Sequence, residues 1–411
     1  MKKDVILLCQ FFYPEKVSSA LLPFQTAVAI AETGLTVDVM CGYPKEYVED
    51  GIHVNKTENV DGISIYRKKY IQLKRSGKLG RLINYFSFTV AVFLNIFQFK
   101  NYKSVIVYSN PPVIPIIAVI ANKLFGIKIV FVAYDLYPEI AENMEVLKHN
   151  SLISRLMKRI NRYLYKYASA VVSLSNEMKE FIINHREIPE EKIVVFPNWA
   201  TESGIEENSE ITTQFYKELR RNYKIIVSYF GNMGTAQDIE TIERVIGDVR
   251  LKKDGIGFLF AGHGNKKREI EQFIREGNLD NCYVFDYLSG EQFEDALKIT
   301  DISIVSLEKK LSGLAVPSKT YSYYQSGKPV ISIMDKETDI SKEIQENYCG
   351  LSVENGNSIE IVEWLLSLNP NLITEMKRNV VKLHTEKYAK EKTLLKYTDL
   401  IKKVISEENH V

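Results

Sequence analysis

The sequence predicts an α/β protein built from two tandem, doubly wound domains. Short apolar segments rich in β-branched residues alternate with longer segments whose apolar residues recur at helical spacing. This alternation runs through the chain in two series, separated by a polar and charged stretch at residues 201–224. Successive βαβ units place their strands in a parallel sheet, so each series predicts one Rossmann-like domain.

The elements of the two series follow in chain order. The first series predicts strands at 5–8, 36–40, 104–108, 128–133, 170–174 and 193–195, and helices at 22–32, 111–124 and 153–167. The second predicts strands at 225–230, 257–261, 283–285, 301–307 and 330–334, and helices at 239–249, 267–277, 291–299 and directly after Ser318. We therefore expect an N-terminal domain at 1–198, an interdomain linker at 199–224, a C-terminal domain at 225–385 and terminal helices at 386–411.

Composition narrows the class of protein. The chain has 411 residues, of which 45% are hydrophobic and 26% charged, as in ordinary soluble proteins. Its net charge of +1 gives no reason to expect a nucleic-acid partner. The four cysteines lie far apart without metal or redox spacing, which fits a reducing cytoplasm. The apolar run after the first lysines is short, so we interpret it as a strand and not as a signal peptide.

Three glycine-bearing turns follow strands of the second series, at residues 230–234, 261–267 and 311–329. Glycine lets backbone amides approach a phosphate closely, although such turns often use glycine for structural reasons alone. In the third turn we expect Ser318 to cap a short helix, Gly327 to follow its end and Pro329 to stop it. Lys319 lies in the first turn of that helix. It either contacts an anion there or is a surface lysine on an ordinary helix.

Two carboxylates, Asp135 and Glu139, follow a predicted strand of the first domain. Side chains at the carboxyl end of a parallel strand face the ligand crevice. Asp135 could instead form an Asx-turn or an N-cap before Pro138, and Glu139 could simply favour the first turn of the next helix. The chain contains no Asp-x-Asp, so we expect no metal site, and cations or helix N-termini would stabilise a bound diphosphate.

Residues 68–99 combine a basic segment with an apolar one. Lys68 to Arg81 holds six basic residues, and residues 82–99 carry no charge. The uncharged run is at the lower limit for a membrane span and contains several polar residues. We weigh a core helix against a helix that docks on a membrane surface, and a true span is the least favoured alternative.

Four motifs carry a resemblance to a known family. They are Phe-Phe-Tyr-Pro-Glu at 11–15, Asp-Leu-Tyr-Pro-Glu at 135–139, Gly-Asn-Met-Gly at 231–234, and Val-Pro-Ser-Lys with Gly-Lys-Pro-Val at 316–330. Together they resemble GT-B-fold glycosyltransferases of the large retaining group called family 4. The subgroup that they resemble builds bacterial O-antigen, capsule and other surface polysaccharides, and includes WbuB-like aminosugar transferases.

The resemblance implies the GT-B architecture, with the two domains facing a central cleft and the terminal helices crossing back to the first domain. It implies transfer from a nucleotide diphospho-sugar, of the UDP type, with catalytic roles for Asp135, Glu139 and Lys319. The donor-binding residues that it implies are Gly231, Asn232, Met233, Gly234, Gly264, Lys266, Tyr287, Leu288, Gly313, Pro317, Ser318, Lys319 and Ser322. The acceptor-binding residues that it implies are Glu15, Ser18, Asp135, Tyr137 and Glu139.

The chain departs from the family at two kinds of position. The family has two glutamates eight residues apart in the third turn, where this chain has Leu314 and Ser322, and Thr235 stands where relatives often have a basic residue. Lys319 is therefore the leading diphosphate cation, with Lys266 second.

The expected partners are the nucleotide-sugar, a lipid-linked oligosaccharide acceptor and, through residues 68–99, the inner leaflet of the cytoplasmic membrane. We expect no cofactor, and a cytoplasmic protein that associates peripherally with that membrane. Two other functions stay open: a sugar-nucleotide 2-epimerase of the same fold, and a non-catalytic sugar-nucleotide-binding subunit.

Overall fold

The computed structural model describes residues 2–45, 52–73, 78–201 and 210–407. The chain divides into two units. Unit 1 consists of Met1–Thr201, Gly313–Ala315 and Lys390–Val411, and unit 2 consists of Glu202–Ser312 and Val316–Ala389. Each unit is an α/β structure around its own sheet, as the alternating sequence pattern predicts.

The first part of unit 1 follows the predicted βα alternation. Its strands are β1 (Lys3–Leu8), β2 (Val37–Gly42), β3 (Thr57–Val60), β4 (Ile63–Lys68), β5 (Tyr102–Tyr108), β6 (Lys128–Val132), β7 (Ala168–Ser173) and β8 (Ile193–Val195). Its helices are α1 (Ser18–Glu32), α2 (Lys78–Phe93), α3 (Pro115–Phe125), α4 (Glu139–Asn143), α5 (Leu152–Tyr167) and α6 (Asn176–His185).

The eight strands form one sheet in the order β3-β4-β2-β1-β5-β6-β7-β8. All pairs are parallel except β3 with β4, which form an antiparallel hairpin at the edge. The strand order reverses between β1 and β5, and ligands of doubly wound sheets bind at the carboxyl ends of strands beside such a switch point.

Unit 2 repeats the alternation with a six-stranded sheet. Its strands are β9 (Ile225–Phe230), β10 (Ile256–Ala261), β11 (Cys282–Phe285), β12 (Ile302–Ser306), β13 (Val330–Ile333) and β14 (Gly350–Val353). Its helices are α7 (Gln214–Asn222), α8 (Ile239–Ile246), α9 (Val249–Lys253), α10 (Lys267–Glu276), α11 (Gly290–Ile299), α12 (Lys319–Gln325), α13 (Asp339–Glu346), α14 (Ser358–Ser367) and α15 (Pro370–Leu383).

The sheet of unit 2 is parallel throughout, in the order β11-β10-β9-β12-β13-β14. Its strands are largely buried because helices cover both faces, which explains why they appear in the sequence as continuous apolar runs. The switch point lies between β9 and β12. The first glycine turn follows β9 directly, so the fold brings this turn to the edge where a ligand is expected.

The last helix, α16 (Lys390–Ser406), returns to unit 1. It packs against α1, and Tyr397, Ile401 and Val404 are buried in the core of that unit. Trp199 lies in the same core, where its Nε1 donates to Gln25 Oε1 at 2.6 Å and its ring meets Tyr397 edge-on. These contacts of Trp199 are internal to unit 1.

Two predicted elements differ from the structure. The helix predicted at 239–249 is two helices, because α8 ends before Gly247 and Asp248 caps α9 through the Arg250 N–H at 2.9 Å. The uncharged run at 82–99 is not one helix either. Helix α2 ends at Phe93, and a separate 3-10 helix occupies Ile96–Asn101.

Candidate active site

The first two glycine turns of unit 2 are bonded to each other through their backbones. The Met233 N–H donates to the His263 carbonyl at 2.7 Å, and the Lys266 N–H donates to the Met233 carbonyl at 2.9 Å. Gly262 and Gly264 have positive φ, +144° and +136°. A Cβ on Gly262 would lie 1.9 Å from the Gly231 carbonyl oxygen. Glycine is thus required at this position for the two turns to touch.

Lys319 lies against the first glycine turn. Its Nζ is 3.7 Å from the centre of the Tyr229 ring and donates to the Asn232 carbonyl at 3.5 Å. Gly231 has φ +126°, a backbone conformation that favours glycine, and a Cβ there would only reach ordinary contact with Lys319 Cε at 3.4 Å. The structure therefore brings together the first turn and the start of α12, two features that the sequence analysis singled out separately.

No carboxylate among the described residues pairs with the Lys319 ammonium. Burial lowers the pKa of Lys319 to about 7, from an ordinary value of 10.5. The Tyr229 ring partly compensates, because the face of an aromatic ring attracts a cation. A bound anion would supply the missing negative charge and raise this pKa again.

Helix α12 is held at both ends, but not in the way that the sequence predicts at its start. Ser318 occupies the N-cap position, yet its hydroxyl accepts no capping hydrogen bond, so the expected side-chain cap is wrong. At the other end Gly327 has φ +62°, as predicted, and the Lys328 N–H donates to the Tyr323 carbonyl at 2.9 Å. The Tyr323 hydroxyl accepts from the Phe230 N–H at 2.8 Å, which fastens α12 to β9.

The other predicted donor residues are in varied surroundings. Lys266 is engaged, since its Nζ donates to the Gln237 carbonyl at 3.0 Å and lies 3.5 Å from Glu308. Tyr287 is 62% exposed, whereas Leu288 is buried. Asn232, Gly234 and Met233 form the first turn, with Gly234 donating to Gln237 Oε1 at 2.9 Å. Pro317 and Ser322 are half-buried, just before α12 and within it. Gly313 belongs to unit 1, where it lies against the Glu177 carbonyl.

In unit 1, Asp135 occupies the turn that follows β6. The backbone N–H groups of Tyr134 and Asp135 both donate to Ser109 Oγ, at 3.0 and 3.1 Å. The Leu136 N–H donates to the Leu314 carbonyl at 3.0 Å, which adds a further backbone anchor. The turn is therefore fixed by contacts that leave the Asp135 side chain uninvolved.

Within the described part of the chain, no group donates a hydrogen bond to the Asp135 carboxylate or pairs with it. The Asx-turn and N-cap alternatives for Asp135 are therefore not observed, and the N-cap position of α4 is Pro138. Burial raises the pKa of Asp135 to about 6. The carboxylate lines a small pocket whose other walls include Ser109, Tyr137 and Asn161.

Glu139 contrasts with Asp135. It is the first residue of α4, and its Oε2 pairs with Arg186 Nη2 at 2.7 Å. The Arg186 guanidinium also lies 5.6 Å from the centre of the Tyr165 ring. The Glu139 carboxylate thus links α4 to the end of α6, and Asn161 secures the same turn by donating to the Tyr137 carbonyl at 2.5 Å.

The two remaining acceptor candidates flank the first loop of unit 1. Glu15 is buried, and its carboxylate accepts from the Phe12 N–H at 3.3 Å. Ser18 is exposed at the first residue of α1. Both follow β1, which borders the switch point of this sheet.

Comparison with known proteins agrees with these observations. Residues 24–199 match the model of the glycosyl transferase 4-like domain. A Pseudomonas aeruginosa protein named "Probable glycosyltransferase WbjE" is 24% identical over 302 residues, which cover 73% of this chain and 74% of that protein. The chain thus contains a glycosyl transferase 4-like domain and has the GT-B fold of glycosyltransferases.

Two solved structures share the fold of this glycosyltransferase. Anabaena Alr3699/HepE, solved in complex with UDP, has a TM-score of 0.67 at 13% identity, covering 98% of this chain and 99% of that one. WaaG, a glycosyltransferase involved in lipopolysaccharide biosynthesis, has a TM-score of 0.65 at 12% identity, covering 97% and 99%. These two likenesses show that the fold is shared along nearly the whole of each chain.

Helix α2 of the glycosyltransferase carries an apolar stripe on its surface. Residues at helical spacing along α2 and the turn after it are exposed: Leu79, Phe86, Val90, Phe93, Leu94 and Phe97. Phe88 and Val92, on the opposite side, are fully buried. A plain core helix would not expose this stripe. Of the basic flank, residues 74–77 and the Lys78 side chain lie outside the described part of the chain.

Two further properties of the described residues concern membrane-spanning helices and metal-binding clusters. Among them no helix is long and apolar enough to cross a membrane. Nor do three or more histidine, cysteine, aspartate or glutamate side chains gather there in an arrangement that could hold a metal ion.

Sequence reasoning missed several residues that shape the site of the glycosyltransferase. Tyr229 belongs to an apolar strand, and only the structure shows its ring beneath Lys319. Ser109 directly follows β5, and its hydroxyl, which accepts from the Tyr134 N–H, was not among the predicted site residues. A polar residue directly after a parallel strand was the available signal for Ser109.

Proposed function

We propose that this glycosyltransferase moves a sugar from a UDP-type nucleotide diphospho-sugar to a lipid-linked glycan, with retention at the anomeric carbon and without a divalent metal. The observation that carries the proposal is the Lys319 ammonium, half-buried against the first glycine turn with no carboxylate partner among the described residues. An unpaired, partly desolvated cation of this kind is stabilised by an anion.

The diphosphate of the donor fits that requirement. As the bond between the anomeric carbon and the phosphate oxygen breaks, negative charge grows on the leaving diphosphate. A preorganised ammonium lowers the free energy of this charge, which is the main catalytic contribution expected in such a reaction. The structure of HepE in complex with UDP supports a uridine nucleotide as the first donor class to test.

In the proposed reaction the acceptor hydroxyl oxygen forms a bond to the anomeric carbon on the face that the diphosphate leaves. The proton of that hydroxyl passes to an oxygen of the leaving diphosphate. This route needs no protein nucleophile. Lys319 supports it by stabilising the diphosphate during the transfer.

Asp135 is our candidate for orienting the acceptor. Its carboxylate lines a pocket, has no donor among the described residues, and with a pKa near 6 is ionised at pH 7 and above. An ionised carboxylate accepts a hydrogen bond from the attacking hydroxyl and thereby fixes its direction. Glu139, which is paired with Arg186, would act by holding this turn in place.

Metal independence rests on the same lysine. The chain lacks the Asp-x-Asp motif that commonly holds a metal-bound diphosphate, and the Lys319 ammonium supplies positive charge at the start of α12. We therefore expect turnover to survive chelation. Complete loss of activity in EDTA, restored by Mg²⁺ or Mn²⁺, would contradict this part of the proposal.

The lipid-linked acceptor and peripheral membrane attachment are supported by the apolar stripe of α2. An exposed apolar helix face beside basic residues is typical of a protein that lies on a membrane surface. We propose that this face keeps the enzyme beside its acceptor at the inner leaflet of the cytoplasmic membrane.

The decisive experiment measures release of nucleoside diphosphate from a panel of nucleotide-sugars, first without acceptor and then with lipid-linked glycans from membranes. The proposal predicts slow donor hydrolysis that acceptor converts into transfer, with the α anomer of an α-linked donor retained in the product. A change of configuration at C2 of the free donor would identify an epimerase. Tight donor binding without any turnover would identify a binding subunit.

A further inference from the structure

A pocket containing three lysines opens beside α2, at a place to which the proposed reaction assigns no ligand. It lies between the end of β4 and the turn that follows α2, and it encloses about 620 Å³. Lys56, Lys68 and Lys69 line it, together with Tyr43, Leu94 and Asn95. No aspartate or glutamate contributes to the part of its wall that the structure describes.

The positive charge of this pocket is not neutralised from within. The nearby guanidinium of Arg67 is occupied, since it pairs with Glu58 at 2.5 Å and donates to the Tyr13 carbonyl at 2.9 Å. Glu58 is thereby committed to Arg67 and leaves the lysines uncompensated. Burial, and then the charge of Lys56, lower the pKa of Lys68. The charged form of Lys68 is therefore destabilised by its surroundings.

The lysines differ in how firmly they are held. Lys68 Nζ donates to Asn95 Oδ1 at 2.9 Å, which fixes it to the turn after α2. Lys69 Nζ lies 5.9 Å from the centre of the Tyr43 ring. Lys56 is exposed, and no described group pairs with it. One fixed cation and two adjustable ones offer the charge and the hydrogen-bond donors that a phosphate group requires.

The pocket is continuous with the apolar stripe. Leu94 belongs to both, because it lines the pocket and is 77% exposed. Beside the stripe, Ile71 and Leu73 are also exposed on an extended segment. Asn84 pins that segment to α2 by exchanging two hydrogen bonds with the Leu73 backbone, at 2.8 and 2.9 Å. Charge and apolar surface thus face outward at one place.

We propose that the pocket of Lys56, Lys68 and Lys69 binds the phosphate of an anionic phospholipid while the apolar stripe of α2 enters the membrane interface. The inference rests on the proposed membrane attachment and names the lipid class that it recognises. A free phosphate would match the charge alone. A phospholipid also covers the exposed apolar side chains beside the pocket, which is why we favour the membrane as the source.

The test compares binding of the full chain to vesicles of phosphatidylcholine alone and of phosphatidylcholine with 30% phosphatidylglycerol, by co-sedimentation. The pocket variant is Lys56→Gln with Lys69→Gln, two exposed positions that leave the Lys68–Asn95 bond intact. The control is Lys402→Gln with Lys403→Gln, which removes the same charge from exposed positions on α16. Two surface lysines contribute enough to membrane affinity that we expect a loss of about tenfold or more in the pocket variant.

The control variant should bind anionic vesicles like wild type, and Val90→Ser with Leu94→Ser should abolish binding to both vesicle types. Equal losses in the two lysine variants would show diffuse attraction and overturn the pocket, as would no loss in either. Displacement of the protein from anionic vesicles by millimolar inorganic phosphate at constant ionic strength would show that the pocket selects free phosphate, which overturns the membrane source.

This test is independent of glycosyl transfer. Donor hydrolysis in solution should be equal in wild type and in the pocket variant, because neither lysine belongs to the proposed reaction. Vesicle binding that depends on the pocket, in a protein without donor hydrolysis, would leave the lipid site standing and refute the proposed function. Donor hydrolysis without pocket-dependent vesicle binding would support the proposed function and refute the lipid site.

Discussion

Each unit contains two side chains of the same charge near its candidate site. In each unit, one of the two has a partner of opposite charge among the described residues and the other has none. In unit 1, Asp135 has no partner among the described residues, whereas Glu139 is bonded to Arg186. In unit 2, Lys319 has no carboxylate partner among them, whereas Lys266 lies beside Glu308. The comparison separates charged groups that a described partner neutralises from charged groups that the described residues leave unpaired.

The pKa values of the two unpaired groups, Asp135 and Lys319, shift in opposite directions for the same physical reason. Burial disfavours the charged form of either group, so it raises the pKa of Asp135 to about 6 and lowers the pKa of Lys319 to about 7. Both groups therefore titrate close to neutral pH. Strongly perturbed ionisable groups concentrate at functional sites, which makes these two the ones to test first.

The largest effect is expected from Asp135→Asn. The amide keeps the size of the side chain but loses the charge that orients the acceptor hydroxyl, so the transfer rate should fall by about 10²-fold or more. The melting temperature should stay equal or rise, because an unpaired, half-buried charge is removed. Transfer at a near wild-type rate would move the acceptor site to the surroundings of Glu15 and Ser18.

The next effect is expected from Lys319→Ala. Loss of a charge-assisted contact to the diphosphate should weaken UDP binding by about 1.5–3 kcal/mol, which calorimetry measures directly. Lys266→Ala is the matched control, because Glu308 already occupies that ammonium. UDP binding that survives Lys319→Ala unchanged, or that falls equally in both variants, would show that the isolated lysine is not a diphosphate site.

The pH dependence sharpens the comparison further. The ratio kcat/KM for the donor should rise as Asp135 ionises around pH 6 and fall as Lys319 loses its proton above about pH 7. Above pH 7, UDP affinity should fall by up to about tenfold per pH unit, since binding requires the ammonium. The acid limb should disappear in Asp135→Asn. If kcat/KM still rises around pH 6 in Asp135→Asn, the titrating group is not Asp135.

The same shifts fix the sign of the pH dependence of stability. Between pH 3.8 and about 6 the folded protein binds a proton at Asp135 that the unfolded chain does not, so this group lowers stability as pH rises. Between about 7 and 10.5 the unfolded chain binds the extra proton at Lys319, so this group raises stability with pH.

The smallest effect on transfer is expected from Glu139→Gln. Its ion pair with Arg186 is largely buried, so the substitution should lower the free energy of unfolding by about 1.5–3 kcal/mol. The rate, measured well below the melting temperature, should change by only a few fold. A rate loss as large as that of Asp135→Asn, with unchanged stability, would make Glu139 a direct participant.

The sequence predicted the fold well because its signals are local. Strands such as β1 and β9 are continuous apolar runs, and the αL residue Gly327 ends α12 where expected. Failures arose where tertiary contacts decide. The hairpin of β3 and β4 lacks a strong apolar pattern, and the break at Gly247 depends on the Asp248 cap.

The sequence identified residues of the candidate site, but not the contacts that these residues make with one another. The glycine-rich turns and the Val-Pro-Ser-Lys motif pointed to Lys319, but the sequence does not show that the ring of Tyr229 lies 3.7 Å from it. Likewise Asp135 and Glu139 look equivalent in Asp-Leu-Tyr-Pro-Glu. Only Arg186, 47 positions further along, distinguishes them.

The return of α16 to unit 1 has a consequence for synthesis of the chain on the ribosome. The core of unit 1 includes Tyr397, Ile401 and Val404, which are translated after every residue of unit 2. At about 5–20 residues per second, residues 202–389 take roughly 10–40 s to be made. During that interval the surface of α1 that α16 will cover stays open, so a nascent chain offers chaperones a defined apolar target.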